Sequence, residues 1–460
     1  MADGGADAAV KRLMAGAARA FAADKLDHAL AAYAKVLELD PRHPDALCNM
    51  GVCLRRMQRF PAAVGCYRRA LEVRPEGAAI WSNLGNAYRD LGRLDEAEAA
   101  LRKACAISDQ APDTVFNLGL VLKDAGRFGE GLELLERVLA EKPDHAGAAW
   151  DRALLLLESG DFARGFEAYE ARWKRPDARK LNLATPRWNG GDIAGKTLLL
   201  VREQGFGDMI QFARFAAEAR ARCARLVLEC QSELLRLMAT APGVDAVTSD
   251  REPPPAHDVH LPMLSLPRVL GTRLESLVAE VPYLRPPQIA KPVPQLQPGF
   301  RVGIAWAGKP SHRNDRNRSC PPQRFLDLFD VPGVRIVNLQ KGPAARRLTG
   351  TVPAALLPDL AAGCDDFADT AALMQALDLV ITVDTAVAHL AGALGRPVWV
   401  LLPYVPDWRW MRDRDDSPWY PSMRLFRRNT PGDWDGLFAR LTAALAEAAA
   451  AHPSPADAAS

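Results

Sequence analysis

The chain has 460 residues, of which 25% are charged, and its formal net charge is only +2. A chain of this length holds about two or three domains, and the near balance of charge excludes a general affinity for nucleic acid or anionic membranes. Because no uninterrupted apolar run is long enough for a membrane span, we expect a cytoplasmic protein whose membrane association is at most peripheral. The eight cysteines lack a CxxC pair, which indicates reduced thiols and no metal centre.

The first part of the chain repeats with a period of 34 residues. Small residues recur at one phase, as in Ala29, Ala63 and Ala97. Residues 81–88 read WSNLGNAY, which fits the tetratricopeptide pattern W-x-x-L-G-x-x-Y. The repeats predict an α-solenoid of about five helix pairs over residues 10–175, after a flexible N-terminus at residues 1–9.

Asparagine recurs at another phase of three successive repeats, as Asn49, Asn83 and Asn117, with Asp151 next in the series. A carboxamide both donates and accepts hydrogen bonds, so a column of asparagines can bind the backbone of an extended acceptor peptide. The column resembles the asparagine ladder in the repeats of the protein O-GlcNAc transferases. The alternative is that these asparagines only solvate the helices.

A linker rich in proline and glycine is predicted at residues 176–195, before an N-terminal Rossmann-like domain at residues 196–290. Its first strand, TLLLV, runs into a loop with Gly205 and Gly207 and then a helix. The glycines permit positive φ and close approach of the backbone to a ligand. Asp208, at the strand-to-helix corner, can cap the helix or face a cleft.

A C-terminal Rossmann-like domain is predicted at residues 300–450, followed by a disordered tail at 451–460. After its first strand, a polar loop contains Lys309 and Arg313, which could neutralise a nucleotide diphosphate or simply be solvated. A later strand ends at Gln340, where a nucleoside or sugar hydroxyl could be recognised.

Residues 377–402 predict a strand, a tight turn, a short helix and a second strand. Asp384 and Thr385 can cap the helix, whose free N–H groups and positive dipole end suit a pyrophosphate. His389, about one turn into the helix, can add a donor. The alternative is an ordinary βαβ unit with a structural histidine.

Two further features have two interpretations each. Residues 413–415 spell a DxD, the metal signature of another glycosyltransferase fold, but their charged loop favours a solvated turn. Four nearby aromatic residues could stack on a sugar or pack an interdomain surface. They are Trp408, Trp410, Trp419 and Tyr420.

Residues 195–440 resemble the heptosyltransferase-like glycosyltransferases. Residues 207–210 read GDMI, the Gly-Asp-apolar-apolar corner of that family, and residues 384–389 read DTAVAH against its Asp-Thr-Gly-x-x-His. Ala386 departs from the pattern by placing a Cβ where the backbone meets donor phosphates. Nearly the whole chain resembles a bacterial group that joins tetratricopeptide repeats to such a domain. The implied fold is an α-solenoid followed by an α/β GT-B module of two Rossmann-like domains.

The resemblance implies a nucleotide-sugar-dependent glycosyltransferase, inverting and independent of metal, with Asp208 as catalytic base and no cofactor besides the donor as co-substrate. The residue patterns and the resemblance together suggest these donor-binding residues: Gly205, Gly207, Lys309, Arg313, Gln340, Asp384, Thr385, Ala386 and His389. The expected partners are a nucleotide sugar and a protein or peptide acceptor, such as flagellin, held in the repeat groove. The alternatives are transfer to lipopolysaccharide or another surface glycan, and a non-catalytic adaptor with a degenerate transferase domain.

Overall fold

The computed structural model describes residues 3–175, 178–288, 290–293, 295–311, 314–349, 352–353 and 356–452. The chain divides into two compact units, residues 1–155 and residues 156–460. No helix among the described residues is long and apolar enough to cross a membrane.

Apart from the turns between helices, residues 3–174 are helical, as the repeats predict. The helices are α1 (Asp3–Ala22), α2 (Leu26–Leu39), α3 (Pro44–Arg56), α4 (Phe60–Val73), α5 (Ala78–Asp90), α6 (Leu94–Ile107), α7 (Pro112–Asp124), α8 (Phe128–Glu141), α9 (Ala146–Glu158) and α10 (Phe162–Ala168). A 3-10 helix, Tyr169–Lys174, follows α10. The predicted solenoid of about five helix pairs is confirmed, and α1 begins at Asp3, inside the segment expected to be a flexible N-terminus.

Small residues explain how the helix pairs pack. A Cβ at Gly51 would lie 2.6 Å from Cε1 of Tyr67, and a Cβ at Gly85 would lie 2.6 Å from Cγ of Leu101. Larger side chains at these phases would push the paired helices apart, because protein interiors have little free volume. Small residues therefore recur every 34 residues because the paired helices are in close contact at these positions.

After α10 and the 3-10 helix, the second unit contains a four-stranded parallel sheet in the order β3-β2-β1-β4. Its strands are β1 (Ile193–Val201), β2 (Cys223–Cys230), β3 (Ala246–Ser249) and β4 (Val259–Pro262). The helices of this part are α11 (Phe206–Phe212), α12 (Ala216–Arg220), α13 (Leu235–Met238) and α14 (Leu266–Leu270). Strand β1 starts at Ile193, within the predicted linker, and Leu181 and Leu183 of that linker pack against the face of the sheet formed by Leu199 and Val227.

A five-stranded parallel sheet follows, in the order β6-β5-β7-β8-β9. Its strands are β5 (Phe300–Ala305), β6 (Val334–Asn338), β7 (Leu379–Val383), β8 (Val398–Leu402) and β9 (Met423–Arg427). The helices are α15 (Asp315–Arg318), α16 (Arg346–Thr349), α17 (Phe367–Gln375), α18 (Ala386–Ala393) and α19 (Trp434–Ala450). The two parallel α/β sheets confirm the predicted fold class, while residues 453–460 of the predicted disordered tail lie outside the described residues.

The strand orders locate the ligand crevices. In the first sheet the chain turns from one side of β1 to the other, so the switch point lies between β1 and β4. In the second sheet the corresponding point lies between β5 and β7. Open α/β sheets bind ligands at the carboxyl ends of the strands beside such points. Asp208 follows β1 and Asp384 follows β7, so both predicted corners occupy these positions.

Candidate active site

The corner after β1 is a helix cap. Gly205 precedes α11, and its N–H donates to Oδ2 of Asp208 at 2.8 Å. Gly205 has φ −77° and neither Gly205 nor Gly207 has a positive φ. Left-handed backbone, which the sequence permits, is therefore not what requires glycine here.

Gly207 is instead a point of close contact with the second corner. A Cβ on Gly207 would lie 2.8 Å from Cδ2 of His389 and 3.5 Å from Cα of Ala386. Only hydrogen fits in this space, because real Cβ atoms essentially never approach a heavy atom so closely. The structure thus brings together the two corners that the sequence singles out.

Arg409 connects the first corner to the other half of the unit. Its guanidinium, in a side chain only 7% exposed, donates to Oδ1 of Asp208 at 2.5 Å, to Oε1 of Gln211 at 2.6 Å and to Oδ1 of Asp407 at 2.8 Å. Burial alone would lower the pKa of Arg409, but the charges of Asp407 and Asp208 outweigh burial and raise this pKa. Asp208 is therefore held on both carboxylate oxygens, by Gly205 and by Arg409.

The corner after β7 places a capped helix terminus at the second switch point. Oγ1 of Thr385 accepts a hydrogen bond from the N–H of Val387 at 3.3 Å. Burial, with the charge of nearby Asp407, raises the pKa of Asp384 to about 6, against the opposing effect of Arg318. Asp384 is half-buried, and negative charge is disfavoured at this corner.

His389 lies inside the contact between the corners and is 4% exposed. Its ring stacks on Trp410, with centroids 5.2 Å apart, and its Nδ1 lies 3.0 Å from the hydroxyl of Tyr420. Burial, followed by the charge of Arg409, lowers its pKa well below the usual value, so the imidazole is neutral. If Nδ1 of the neutral ring accepts a hydrogen bond from the Tyr420 hydroxyl, the ring hydrogen is on Nε2. Nε2 faces the first corner, since it would lie 3.5 Å from a Cβ built on Gly207. The deep burial also fits the structural alternative.

The loop after β5 contributes a cation that differs from the predicted pair. Lys309 is exposed, and Arg313 lies outside the described residues. Arg318 instead reaches the second corner, where its Nη1 donates to the backbone carbonyl of Asp384 at 3.2 Å. A Cβ at Gly308 would collide with this guanidinium. Glycine therefore makes room for the cation at the switch point.

Gln340 is tied to the backbone at the carboxyl end of β5. Its Oε1 accepts from the N–H of Trp306 at 3.0 Å and of Ala307 at 2.8 Å, and its Nε2 donates to the carbonyl of Lys341 at 3.1 Å. The side chain is buried. Recognition of a donor hydroxyl by this amide would have to compete with these bonds.

The aromatic loop packs internally, which agrees with the packing interpretation. All four of its aromatic side chains are buried. The ring of Trp419 stacks on Phe162 with centroids 5.5 Å apart, and Trp408 contacts Phe162 and Phe166 edge-on. Asp413 and Asp415 of the DxD are exposed, as expected for a solvated turn.

The predicted asparagine column forms a strip between repeats. Nδ2 of Asn83 lies 3.7 Å from Sγ of Cys48, and Nδ2 of Asn117 donates to Oγ of Ser82 at 3.2 Å. Asn49 is half-buried like the other two. Each bond uses one group of a carboxamide, which has two N–H donors and a carbonyl.

The asparagine strip ends where an aspartate takes the next position in the series. Asp151, the next position in the series, is ion-paired with Lys123. The carboxylate is thereby engaged within the repeat unit, so the asparagine strip spans three repeats.

Comparisons with known proteins match the first and the second part of the chain to different families. A tetratricopeptide repeat family matches residues 54–112 and 116–179. Glycosyltransferase family 9 (heptosyltransferase) matches residues 345–410, which include Asp384, His389 and Arg409 but not Asp208. The chain is thus similar to tetratricopeptide repeats in its first part and to glycosyltransferase family 9 over residues 345–410. The second match supports glycosyltransferase activity in general.

Protein FlbA of Caulobacter vibrioides is 29% identical over 322 residues, which cover 62% of this chain and 52% of FlbA. The chain thus spans about half the length of the curated relative that it matches. Among solved structures, MamA is 22% identical with a TM-score of 0.31 and covers 34% of this chain and 91% of its own. The pilF protein of Pseudomonas aeruginosa is 22% identical with a TM-score of 0.34 and covers 36% of this chain and 77% of its own.

The sequence did not single out Arg409 or Arg318 as members of the site, and it named Tyr420 only as one of four loop aromatics and not as a partner of His389. Arg409 lies 201 residues from Asp208 along the chain, and Tyr420 lies 31 residues from His389. No spacing pattern links positions so far apart, so only the fold brings them together. Arg318 was visible as one cation in the polar loop, but nothing distinguished it from its neighbours.

Proposed function

We propose that this chain is a nucleotide-sugar-dependent glycosyltransferase that modifies a protein such as flagellin. It inverts the configuration at the anomeric carbon and needs no metal ion. The observation that carries the proposal is the close contact between Gly207 and His389. This contact joins a corner with a carboxylate to a corner with a capped helix terminus. Glycosyl transfer needs a base on the acceptor side and stabilisation of negative charge on the leaving-group side.

Asp208 is the proposed base. The acceptor hydroxyl attacks the anomeric carbon, the bond to the nucleotide breaks, and the hydroxyl proton passes to the Asp208 carboxylate. The side chain of Asp208 is 18% exposed, so an acceptor can reach it. Arg409 and the N–H of Gly205 hold the two carboxylate oxygens, and we assign Arg409 the role of a positioning residue.

The second corner is the proposed donor site. The first N–H groups of α18 and the positive end of its dipole suit a departing diphosphate. Arg318 lies against this corner and Lys309 is exposed on the adjoining loop, so both cations can compensate the developing charge.

The repeats are the proposed acceptor site. Asn49, Asn83 and Asn117 lie on the first helices of three successive pairs, and their carboxamides can bind peptide backbone with little demand on side chains. This division of labour explains both parts of the chain. A glycan acceptor would explain the α/β unit and leave the asparagine strip to partner binding.

Replacement of the proposed base tests the mechanism. In Asp208→Asn the side chain can still accept from Gly205, but it cannot take the acceptor proton, so we expect sugar transfer to fall by about 10²- to 10⁴-fold. Transfer is measured with a nucleotide sugar selected by its effect on the melting temperature. Donor affinity should stay close to that of the parent.

The matched control is Glu218→Gln, which removes an exposed carboxylate of α12 that is paired with Arg222 and leaves the proposed base and its partners intact. This variant should retain most of the transfer activity. A folded Asp208→Asn protein with the parent rate, or an equal loss in both variants, contradicts Asp208 as the base.

The peptide role is tested by changing Asn49, Asn83 and Asn117 together to Ala. Three lost hydrogen bonds of about 0.5 to 1.5 kcal/mol each weaken binding by about 1.5 to 4.5 kcal/mol, so we expect protein modification to fall roughly 10- to 1000-fold while donor hydrolysis is unchanged. Both reactions are measured on the same preparation. Equal loss of both, or loss of neither, rejects the peptide-guiding role.

A further inference from the structure

A cavity of about 220 Å³ lies on the first sheet, away from the contact between the two corners. Its floor includes Val201 and Glu229, near the carboxyl ends of β1 and β2, and residues 179–183 of the predicted linker form another wall. Asp250, directly after β3, closes one side. The cavity therefore lies at the carboxyl ends of β1, β2 and β3, on the other side of β1 from the switch point between β1 and β4.

Glu229 is the unusual residue of the cavity. It lies two residues after Val227, on the sheet face that the linker covers, and its backbone pairs in register with Thr248 of β3. Its side chain is 6% exposed. Strands of parallel sheets are normally apolar on both faces, and a buried carboxylate is costly unless it is paired.

The partner of Glu229 comes from the linker. Nη1 of Arg179 lies 3.1 Å from Oε1 of Glu229 and also donates to the backbone carbonyl of Arg202 at 2.6 Å. The linker is thus fixed to the sheet by a polar contact at the cavity, next to its apolar contacts through Leu181 and Leu183.

The charges around the cavity indicate a neutral ligand. The ionisable residues that line it are Arg179, Lys180, Glu229, Asp250 and Glu252. Arg202 is ion-paired with Asp250 at 2.5 Å, so three basic and three acidic groups meet here and their formal charges balance. A strongly charged ligand would find no excess of opposite charge, whereas hydroxyl groups can donate to the carboxylates and accept from the guanidinium.

The size and the apolar wall narrow the ligand further. At about 30 Å³ per water molecule, the cavity holds the volume of roughly seven waters, which suits one small molecule and not a nucleotide sugar. Leu181, Leu183 and Val201 supply apolar surface beside the polar groups. A saccharide ring has both surfaces, because its hydroxyls lie at the rim and its C–H groups form a face.

We propose that this cavity binds one neutral saccharide unit, with Glu229 and Arg179 as its hydrogen-bonding pair. Asp208 follows the same strand, β1, at the same edge of the sheet, so a bound unit would lie on the acceptor side of the transfer reaction. This last consequence rests on the proposed function, but the binding itself does not.

The test is saturation-transfer NMR of the full chain with free glucose, galactose, mannose and N-acetylglucosamine, without any nucleotide. Saturation should pass to the ring protons of at least one of these sugars. Asn182→Trp places a large side chain at an exposed position of the cavity wall. It should abolish saturation transfer to the sugars without disturbing the core. Glu229→Gln should weaken binding about tenfold or more, because it replaces an ionic acceptor by a neutral one.

The control is Glu218→Gln, which removes an exposed carboxylate that is paired with Arg222 outside the cavity and should leave sugar binding unchanged. Absence of saturation transfer to all four sugars, or binding that survives Asn182→Trp, overturns the proposal. Because Asn182 is exposed, its replacement remains informative even if Glu229→Gln fails to fold. Calorimetric binding of nucleoside diphosphates reports separately on the donor site, so failure of one site is distinguishable from failure of the other.

Discussion

The two strand-to-helix corners of the α/β unit share a topology but hold their aspartates in opposite surroundings. At the first corner, Asp208 accepts from the guanidinium of Arg409 and from a backbone N–H. At the second, burial and the neighbouring charge of Asp407 raise the pKa of Asp384 to about 6. Asp208 is thus fixed on both carboxylate oxygens, whereas burial disfavours the ionised form of Asp384.

The raised pKa of Asp384 predicts that the stability of the protein depends on pH. Without this dependence, the two corners would not differ as described. The unfolded carboxyl ionises near its ordinary pKa of 3.8 and the folded one near 6, so the folded state binds more protons between these values. The free energy of unfolding should therefore fall as the pH rises from about 4 to about 6, by up to about 3 kcal/mol.

Urea denaturation of the parent and of Asp384→Asn across this pH range measures the effect. The asparagine cannot ionise, so the difference in unfolding free energy between the two proteins should change with pH and level off above about pH 6. A constant difference would show that Asp384 has an ordinary environment, and the contrast between the corners would be lost.

The contact between the corners predicts a smaller effect. Gly207→Ala places a Cβ 2.8 Å from His389, whose ring is fixed by Trp410 and Tyr420, so we expect a loss of about 1 to 3 kcal/mol of stability. Gly205→Ala is the matched control, because its φ of −77° suits alanine and its nearest neighbour, Oδ2 of Asp208, would be 3.4 Å away. Thermal denaturation should separate the two variants. Equal melting temperatures would mean that the corners do not pack as described.

The sequence predicts those parts of the molecule that depend on local spacing. The repeats are visible because each helix pair must bury the same small residues against its neighbour. The corners at Asp208 and Asp384 are visible because a buried strand followed by a capping residue is a local pattern.

The remaining features depend on contacts between distant positions. Gly207 looks like a flexible loop glycine until His389 is placed against it. Gln340 looks like a ligand-binding residue until its amide is found bound to Trp306 and Ala307. Arg409 has no local pattern at all, since its partners Asp208 and Gln211 lie about 200 residues away in sequence. Such pairings follow from tertiary packing alone.

The central claim is that the second corner binds the diphosphate of a nucleotide sugar, and calorimetric titration with nucleoside diphosphates tests it most directly. Ala386 is the first residue of α18. A carboxylate introduced there is stabilised by the helix dipole, but it repels a diphosphate. The account predicts that the parent binds, that Ala386→Gln binds more weakly, and that Ala386→Glu, of the same size, loses at least about tenfold more affinity at an unchanged melting temperature. Equal affinities of the Gln and Glu variants, or no binding of any nucleoside diphosphate by the parent, would contradict it, and the second result would favour a non-catalytic adaptor.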